Sequence, residues 1–539
     1  MLNTLNRKMD IERLRNSTYD LIIIGGGITG AGIALDAAKR GMSVALIEMR
    51  DFASGTSSRS TKLVHGGLRY LKQFQVNVVR KTGIEREIVY ENGPHVTRPE
   101  KMLLPIYKTG TFSKLSTSIG LKVYDSLAKV NKNDRRKMLS SKEVEQLVPI
   151  LRQEGLLGGG LYVEYKTDDA RLTIEVMKKA REYGADILNY ASAEDFIFEK
   201  EQIKGVNVKD RVNDLSFKIN GKIVVNATGP WVQGLLKKDI YELKDKALVH
   251  TKGVHIVIDA GKFPLDQAIY FDNEKDGRMI FAIPRDGKTY IGTTDTFYNG
   301  PLEEPEVSPE DKEYLVDTTN VMFPNLNISV EDIESSWAGI RPLIKDKNKS
   351  ASDISRKDEI WESKSGLITI AGGKLTGYRS MAETIVNLVS DRMEKNYSIS
   401  FNKCSTKTET ISGGDVGGGK GFPNFIIQNM DIAIKKGMEE SEAEYIVTKY
   451  GSNVNRIINI YEELDDSSTL SKLLRSELIY CIENEMVVKP EDFLVRRTGY
   501  TYFNREKVDS IYKDVVEYMS QILDWDEMTT QNYQGKPTL

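Results

Sequence analysis

"YDLIIIGGGITGAGIALDAAKRGMSVALIE", residues 19–48, reads as strand, tight turn, helix, strand. Leu21 to Ile24 is a short, wholly apolar run, as a strand buried on both faces requires. Gly25, Gly27 and Gly30 then form G-x-G-x-x-G. The first glycine permits the tight turn, the second lets backbone approach a pyrophosphate, and the third lets helix and strand pack closely. Ile28 and Thr29 open the helix, whose free N–H groups point at phosphates. The second strand ends in Glu48, 18 residues after Gly30. A carboxylate there accepts hydrogen bonds from a ribose diol, and an acid at that place disfavours the 2′-phosphate of NADP. The preceding strand, the following helix and the terminal acid favour a dinucleotide site over a glycine-rich turn in an unrelated α/β protein.

The motif alone does not decide between FAD and NAD, but two later segments do. "KIVVNATGPWV" (222–232) is an apolar strand ending in Ala227, Thr228 and Gly229. "GLITIAGGKLTGYRSMAETIVNLV" (366–389) is a strand, a turn at Gly372 and Gly373, and an amphipathic helix. The positive end of that helix dipole suits an anion, including charge on a reduced isoalloxazine. A dinucleotide fold drawn from the start, the middle and a late part of one chain is a flavoprotein habit. FAD is the expected cofactor.

The 539 residues imply two or three domains. A net charge of −3 argues against a nucleic-acid partner. Cys404 and Cys481 make no C-x-x-C pair, which excludes a Cys-rich zinc site and suits a reducing cytosol. The histidines, at 65, 95, 250 and 255, form no H-E-x-x-H, so no metal is expected. No apolar run reaches the ~18 residues of a membrane span. The N-terminus lacks the apolar region of a secretory signal. The expected location is cytoplasmic, peripheral on the inner face of the cell membrane.

Two further stretches make the resemblance specific. "TSSRSTKLVHGGLRYL" (56–71) and the late G-G-K-L-T-x-Y-R turn, together with the A-T-G-P-W strand end, resemble the FAD-dependent, quinone-linked glycerol-3-phosphate dehydrogenase family and its relative, the α-glycerophosphate oxidase. "TDDARL" (167–172), "IGTTDT" (291–296), "GIRPL" (339–343) and "DFLVRRTGY" (492–500) are in register with it, so the match covers nearly the whole chain. The resemblance implies an α/β fold, α+β overall. A Rossmann-like FAD-binding domain would carry an inserted antiparallel β-sheet substrate domain, with a C-terminal helical domain behind.

For the cofactor, the resemblance and the residue types imply Thr56, Ser57 and Ser58 at the phosphates. Lys62, Leu63, His65, Gly66 and Gly67 would lie along the flavin, with Ala227, Gly229, Gly373, Lys374, Leu375 and Thr376 completing the site. For sn-glycerol 3-phosphate, the family-matched positions are Arg69, Tyr70, His255, Arg341, Arg356 and Lys374. Arginine's planar fork suits a phosphate dianion. The expected reaction passes the C2 hydrogen as hydride to flavin N5 and gives dihydroxyacetone phosphate. His255 is the first choice for the base and His65 the second, since imidazole titrates near neutrality. Arg341 would orient the hydroxyl and stabilise oxyanion charge.

Membrane quinone is the expected electron acceptor, and oxygen the alternative. Oxidases of the family tend to carry an extra internal insertion, which is not evident here. Residues 112–138, apolar with a basic end, read as a solvated helix and loop or as a surface lying on an anionic leaflet. An amino-acid oxidase, or a flavoprotein that binds RNA or a partner, are rival readings that need no phosphate site. The expected FAD part spans about 18–110, 155–240 and 345–401, and the substrate part about 111–154 and 241–344. A glycine-rich linker, 412–422, would lead into the C-terminal domain, 402–539. A homodimer is the expected assembly, and dimerisation, regulation or membrane docking are roles open to that domain.

Overall fold

The apolar run Leu21 to Ile24 lies in the strand Thr18–Ile24, at the centre of a mainly parallel sheet. The computed structural model describes residues 1–65, 76–110, 117, 120–122, 135–241, 243, 245–345, 358–466 and 468–535. Thr18–Ile24 pairs in parallel with Val44–Ile47 on one edge and with Leu215–Asn226 on the other. Asp186–Leu188 extends one side, and Ile368–Gly372 and Asp358–Glu362 extend the other. The start, middle and late segments thus share one sheet, as a flavoprotein assembly requires. Leu21, Ile22 and Ile23 are fully buried, each contributing about 1.5–3 kcal/mol relative to exposure. The helix Ile28–Lys39 packs between Asp169–Glu182 and Tyr378–Tyr397.

A second, mostly antiparallel sheet forms the other half of the core. Within it, Leu248–Asp259 is paired with Lys288–Gly292 on one edge and Ile333–Ile344 on the other. Met279–Arg285 and Ala268–Asp272 follow outward. The expected domain boundaries need correction here. Thr97–Tyr107 and Leu156–Thr167, assigned by sequence to the FAD part, pair with each other along their length. Thr97–Tyr107 also joins Ala268–Asp272, so both strands belong to the second sheet. Sequence order could not reveal this, because the strand that draws the pair into the second sheet, Ala268–Asp272, lies far along the chain.

The chain from Gly418 onward is helical, beginning with Gly418–Lys435, Glu440–Tyr450 and Val454–Glu463 and ending with Arg505–Leu523 and Glu527–Gln534. The expected linker at 412–422 is instead a packed seam. Ser412 N–H donates to Glu175 O at 3.3 Å, and Ser452 N–H donates to Gly413 O at 3.0 Å. Gly413 sits at φ +77°, and a Cβ there would lie 2.6 Å from Tyr450 O. These glycines permit close approach rather than motion.

Buried ion pairs cross the same seam. Asp51 receives Arg497 Nη2 at 2.9 Å and also meets Arg496, while Arg171 meets Glu485. Among the described residues, no helix is long and apolar enough to cross a membrane. Most of the segment proposed for membrane contact, 112–138, lies outside the described residues.

Candidate active site

One cavity of about 820 Å³ runs between the two sheets, within the roughly 300–1,000 Å³ usual for cofactor and ligand sites. The first wall is built from the glycine turn. Gly25 has φ +118°, and a Cβ on it would lie 2.5 Å from Ala227 O. Its missing side chain is what lets the Ala227 strand end close against the turn. A Cβ on Gly30 would lie 1.9 Å from Gly25 O, so the helix could not seat on the turn with any other residue. Glu48 accepts N–H bonds from Gly26 at 2.7 Å and Arg50 at 2.9 Å. Desolvation pushes its carboxyl pKa up, against the pull of those two N–H groups.

The loop after Glu48 covers this wall. Ser57 Oγ accepts from Ile28 N–H at 3.0 Å, which leaves its own proton free to donate. Thr56 was expected to donate to phosphate, but its hydroxyl already donates to Ile340 O at 2.6 Å. Only acceptor capacity remains on that oxygen. His65 and Thr376 bind each other: Thr376 Oγ1 accepts from His65 N–H and donates to His65 O, both at 3.2 Å. This bridge fastens the early loop to the late glycine turn.

The cavity lining includes Gly25, Gly27, Ile28, Thr29, Glu48, Thr56, Ser57, Leu63, His65, Ala227, Gly229, Gly373, Lys374, Leu375 and Thr376. Gly30, Ser58 and Lys62 are not part of it. Gly30 is spent on helix packing. Lys62 is turned inward, where its ammonium pairs with Asp169 at 2.7 Å and donates to Ser58 O at 3.0 Å. Lys62 and Ser58 therefore brace the loop from behind. Gly66, Gly67, Arg69, Tyr70 and Arg356 lie outside the described residues.

The second wall carries the side-chain chemistry. His255 lies opposite Trp337 and Gly292 in the sheet, and Arg341 lies opposite Thr251. Alternation along a strand puts Thr251, Gly253 and His255 on one face, joined there by Arg341, Gly339 and Trp337. Two glycines make room. A Cβ on Gly253 would lie 2.2 Å from Arg341 Nη2, and one on Gly292 would lie 2.2 Å from His255 Cδ2. Arg341 donates to Thr293 Oγ1 at 2.9 Å and to Asp295 Oδ1 at 3.2 Å.

His255 stacks on Trp337, with centroids 4.8 Å apart and 11° between planes. Its Nε2 is 3.0 Å from Thr61 Oγ1, and its Nδ1 has no hydrogen-bond partner among the described residues. Burial holds the imidazole pKa well below 6.5, and the charges of Arg341 and Lys62 push it the same way. Both causes favour the neutral imidazole over the imidazolium.

Several lining residues escaped the sequence reading: Arg59, Thr61, Gly253, Arg278, Phe281 and Asp295. Asp295 sits within the quoted "IGTTDT", so a signal was present. Arg59 and Thr61 likewise sit within the quoted "TSSRSTKLVHGGLRYL", whereas Gly253, Arg278 and Phe281 become visible only once the second sheet is assembled.

A glycine-cradled dinucleotide wall facing a sheet that carries a buried histidine and an arginine fits the class of FAD-dependent oxidoreductases, and the family match shows that class. The family model for FAD dependent oxidoreductases matches residues 20–379, and that for the C-terminal domain of alpha-glycerophosphate oxidase matches residues 404–530. An aerobic glycerol-3-phosphate dehydrogenase of Staphylococcus aureus strain MRSA252 is 58% identical over 534 residues, 99% of this chain and 96% of that one. The chain belongs to the family of aerobic glycerol-3-phosphate dehydrogenases.

Among solved structures, the glycerol-3-phosphate dehydrogenase of Bacillus halodurans, complexed with FAD, superposes with TM-score 0.86 at 44% identity, covering 99% of this chain and 96% of that one. The FAD-bound L-α-glycerophosphate oxidase of Mycoplasma pneumoniae shares the fold, with TM-score 0.56 at 17% identity, over 73% of this chain and 98% of that one.

Proposed function

We propose that the protein oxidises sn-glycerol 3-phosphate to dihydroxyacetone phosphate and that the electrons pass to a membrane quinone. The observation that carries the reading is the convergence of His255 and Arg341 on the cavity that the glycine turn also lines. The turn at Gly25 and Gly27, Glu48, Ser57 and the Gly373 turn would hold FAD. When bound, FAD supplies a two-electron acceptor for the hydride from C2.

The chain's own groups handle the proton and the charge. His255, neutral and shielded from water, takes the proton of the C2 hydroxyl as the carbonyl forms. Arg341, fixed by Thr293 and Asp295, orients that oxygen and stabilises its developing negative charge. Lys374 lines the same cavity and supplies a cation for the phosphate. Arg69, Tyr70 and Arg356 are proposed to complete the phosphate site, so that binding remote from C2 positions the reacting carbon.

An anaerobic titration tests the reading. sn-Glycerol 3-phosphate should bleach the flavin, and a quinone analogue should restore its colour far faster than air does. Fast reoxidation by air with stoichiometric peroxide would replace quinone by oxygen. Absence of bleaching would overturn the substrate.

A further inference from the structure

Among the described residues, none of the C-terminal helical domain lines the cavity, yet one short piece of it reaches the back of the second wall. The four-residue helix Tyr500–Phe503 follows Gly499, which sits at φ +75°. Ser335 Oγ donates to Tyr502 O at 2.6 Å and ties this piece to the strand that carries Trp337. Tyr502 and Phe503 lie against Trp337, with centroids 5.1 Å and 6.0 Å away. Trp337 in turn stacks on His255.

A second route reaches the other side of the same ring. Phe503 packs edge-on to Tyr290 at 5.9 Å, Tyr290 donates its hydroxyl to Thr61 O at 3.1 Å, and Thr61 Oγ1 is 3.0 Å from His255 Nε2. The Arg285 guanidinium lies over the Phe503 ring at 4.6 Å.

We propose that Tyr502 and Phe503 of the C-terminal domain are positioning residues for His255, acting through Trp337 and through the Tyr290–Thr61 pair. The inference rests on the reading of His255 as the base. A flat aromatic stack fixes the plane of an imidazole, where aliphatic packing fills the volume but leaves the ring free to tilt. The direction of the lone pair is what proton transfer demands. The assignment gives the C-terminal domain a part in the chemistry without any contact with substrate.

The groups that face His255 are Arg341 with its partner Asp295, Lys62 with its partner Asp169, and Tyr290. Loosening the stack should admit water and weaken the effect of burial on the ring.

Tyr502→Leu and Phe503→Leu test this in the flavin-loaded enzyme. Two readouts are needed: anaerobic flavin reduction by sn-glycerol 3-phosphate across pH, and the ring titration of His255 by NMR in histidine-labelled protein, assigned with His255→Gln. With four histidines in the chain, the spectrum is simple. The expected result is a reduction rate about tenfold lower with half-saturation within about twofold of wild type. The His255 titration should move up towards the ordinary imidazole value, and Tyr502→Phe should restore both.

Should Phe503→Leu not fold, Tyr502→Leu at its half-buried position carries the same test. Unchanged rate and unchanged titration in a folded, loaded variant would overturn the proposal. So would costs of Tyr502→Leu and His255→Gln that simply add. If His255→Gln alone reduces flavin as wild type does, the base assignment falls. The NMR titration still decides whether Tyr502 and Phe503 hold the ring.

Discussion

The two walls of the cavity are held by different means. The wall from Gly25 to Glu48 acts through backbone: Gly25 and Gly30 are there because nothing larger fits, and the bonds to Glu48 come from N–H groups. The opposite wall acts through side chains, and its glycines at 253 and 292 exist to seat Arg341 and His255. One wall is a local motif, and the other is a register of three strands drawn from residues 248–344. The contrast predicts that damage to the first wall abolishes cofactor binding, whereas damage to the second spares the cofactor and removes the chemistry.

The hardest blow to the first wall is Gly30→Ala. Its Cβ would meet Gly25 O at 1.9 Å, and both atoms are fixed by backbone. The variant should purify without flavin, as its visible absorbance will show. Retained flavin would mean that the turn can relax. On the second wall, Arg341→Met should keep full flavin content and lower kcat/KM for glycerol 3-phosphate by about 10²–10³-fold, the usual cost of one oxyanion donor. Loss of flavin in that variant would blur the division between the walls.

The seam behind both walls predicts a stability effect instead. Arg497→Met leaves Asp51 buried with its Arg497 bonds gone. Breaking a buried pair on one side costs about 3–5 kcal/mol, so thermal unfolding should shift down while the flavin spectrum of the folded enzyme stays the same.

The comparison also shows what could be read from sequence. The strand, turn and helix at 19–48 were legible because each depends on neighbours within a few residues, and so were the Ala227 strand end and the Gly372 turn. His255 and Arg341 were reached through short motifs resembling a family, not through geometry. Gly253 and Gly292 were silent, since their reason lies in side chains that come from other strands. The same limit explains Thr97–Tyr107, whose sheet is fixed by a partner at 268–272. Lys62 differs for another reason: a lysine in this polar loop was expected along the flavin, but its partner is Asp169, far along the chain.

The smallest effect is the pH dependence of stability. Burial holds His255 and His95 well below 6.5 in the folded protein. Below about pH 6.5 the unfolded chain takes up protons that these native rings refuse. Stability is therefore whole above that pH and falls as pH drops below it. Thermal midpoints measured downward from neutrality should start to decline near 6.5, above the carboxylate range, and His255→Gln should reduce the slope. A flat profile down to the carboxylate range would show that neither ring is held neutral by the fold.

In the proposed reaction the two walls meet at C2 of glycerol 3-phosphate, one holding the acceptor and the other taking the proton. The most direct measurement is anaerobic flavin reduction by substrate deuterated at C2, compared with ordinary substrate in one stopped-flow series. Reduction should be slower with deuterium in wild type, and an isotope effect should persist on a much slower reaction in His255→Gln. Equal rates for the two substrates at saturation would contradict it, because C2–H cleavage would then not be the step that the cavity controls.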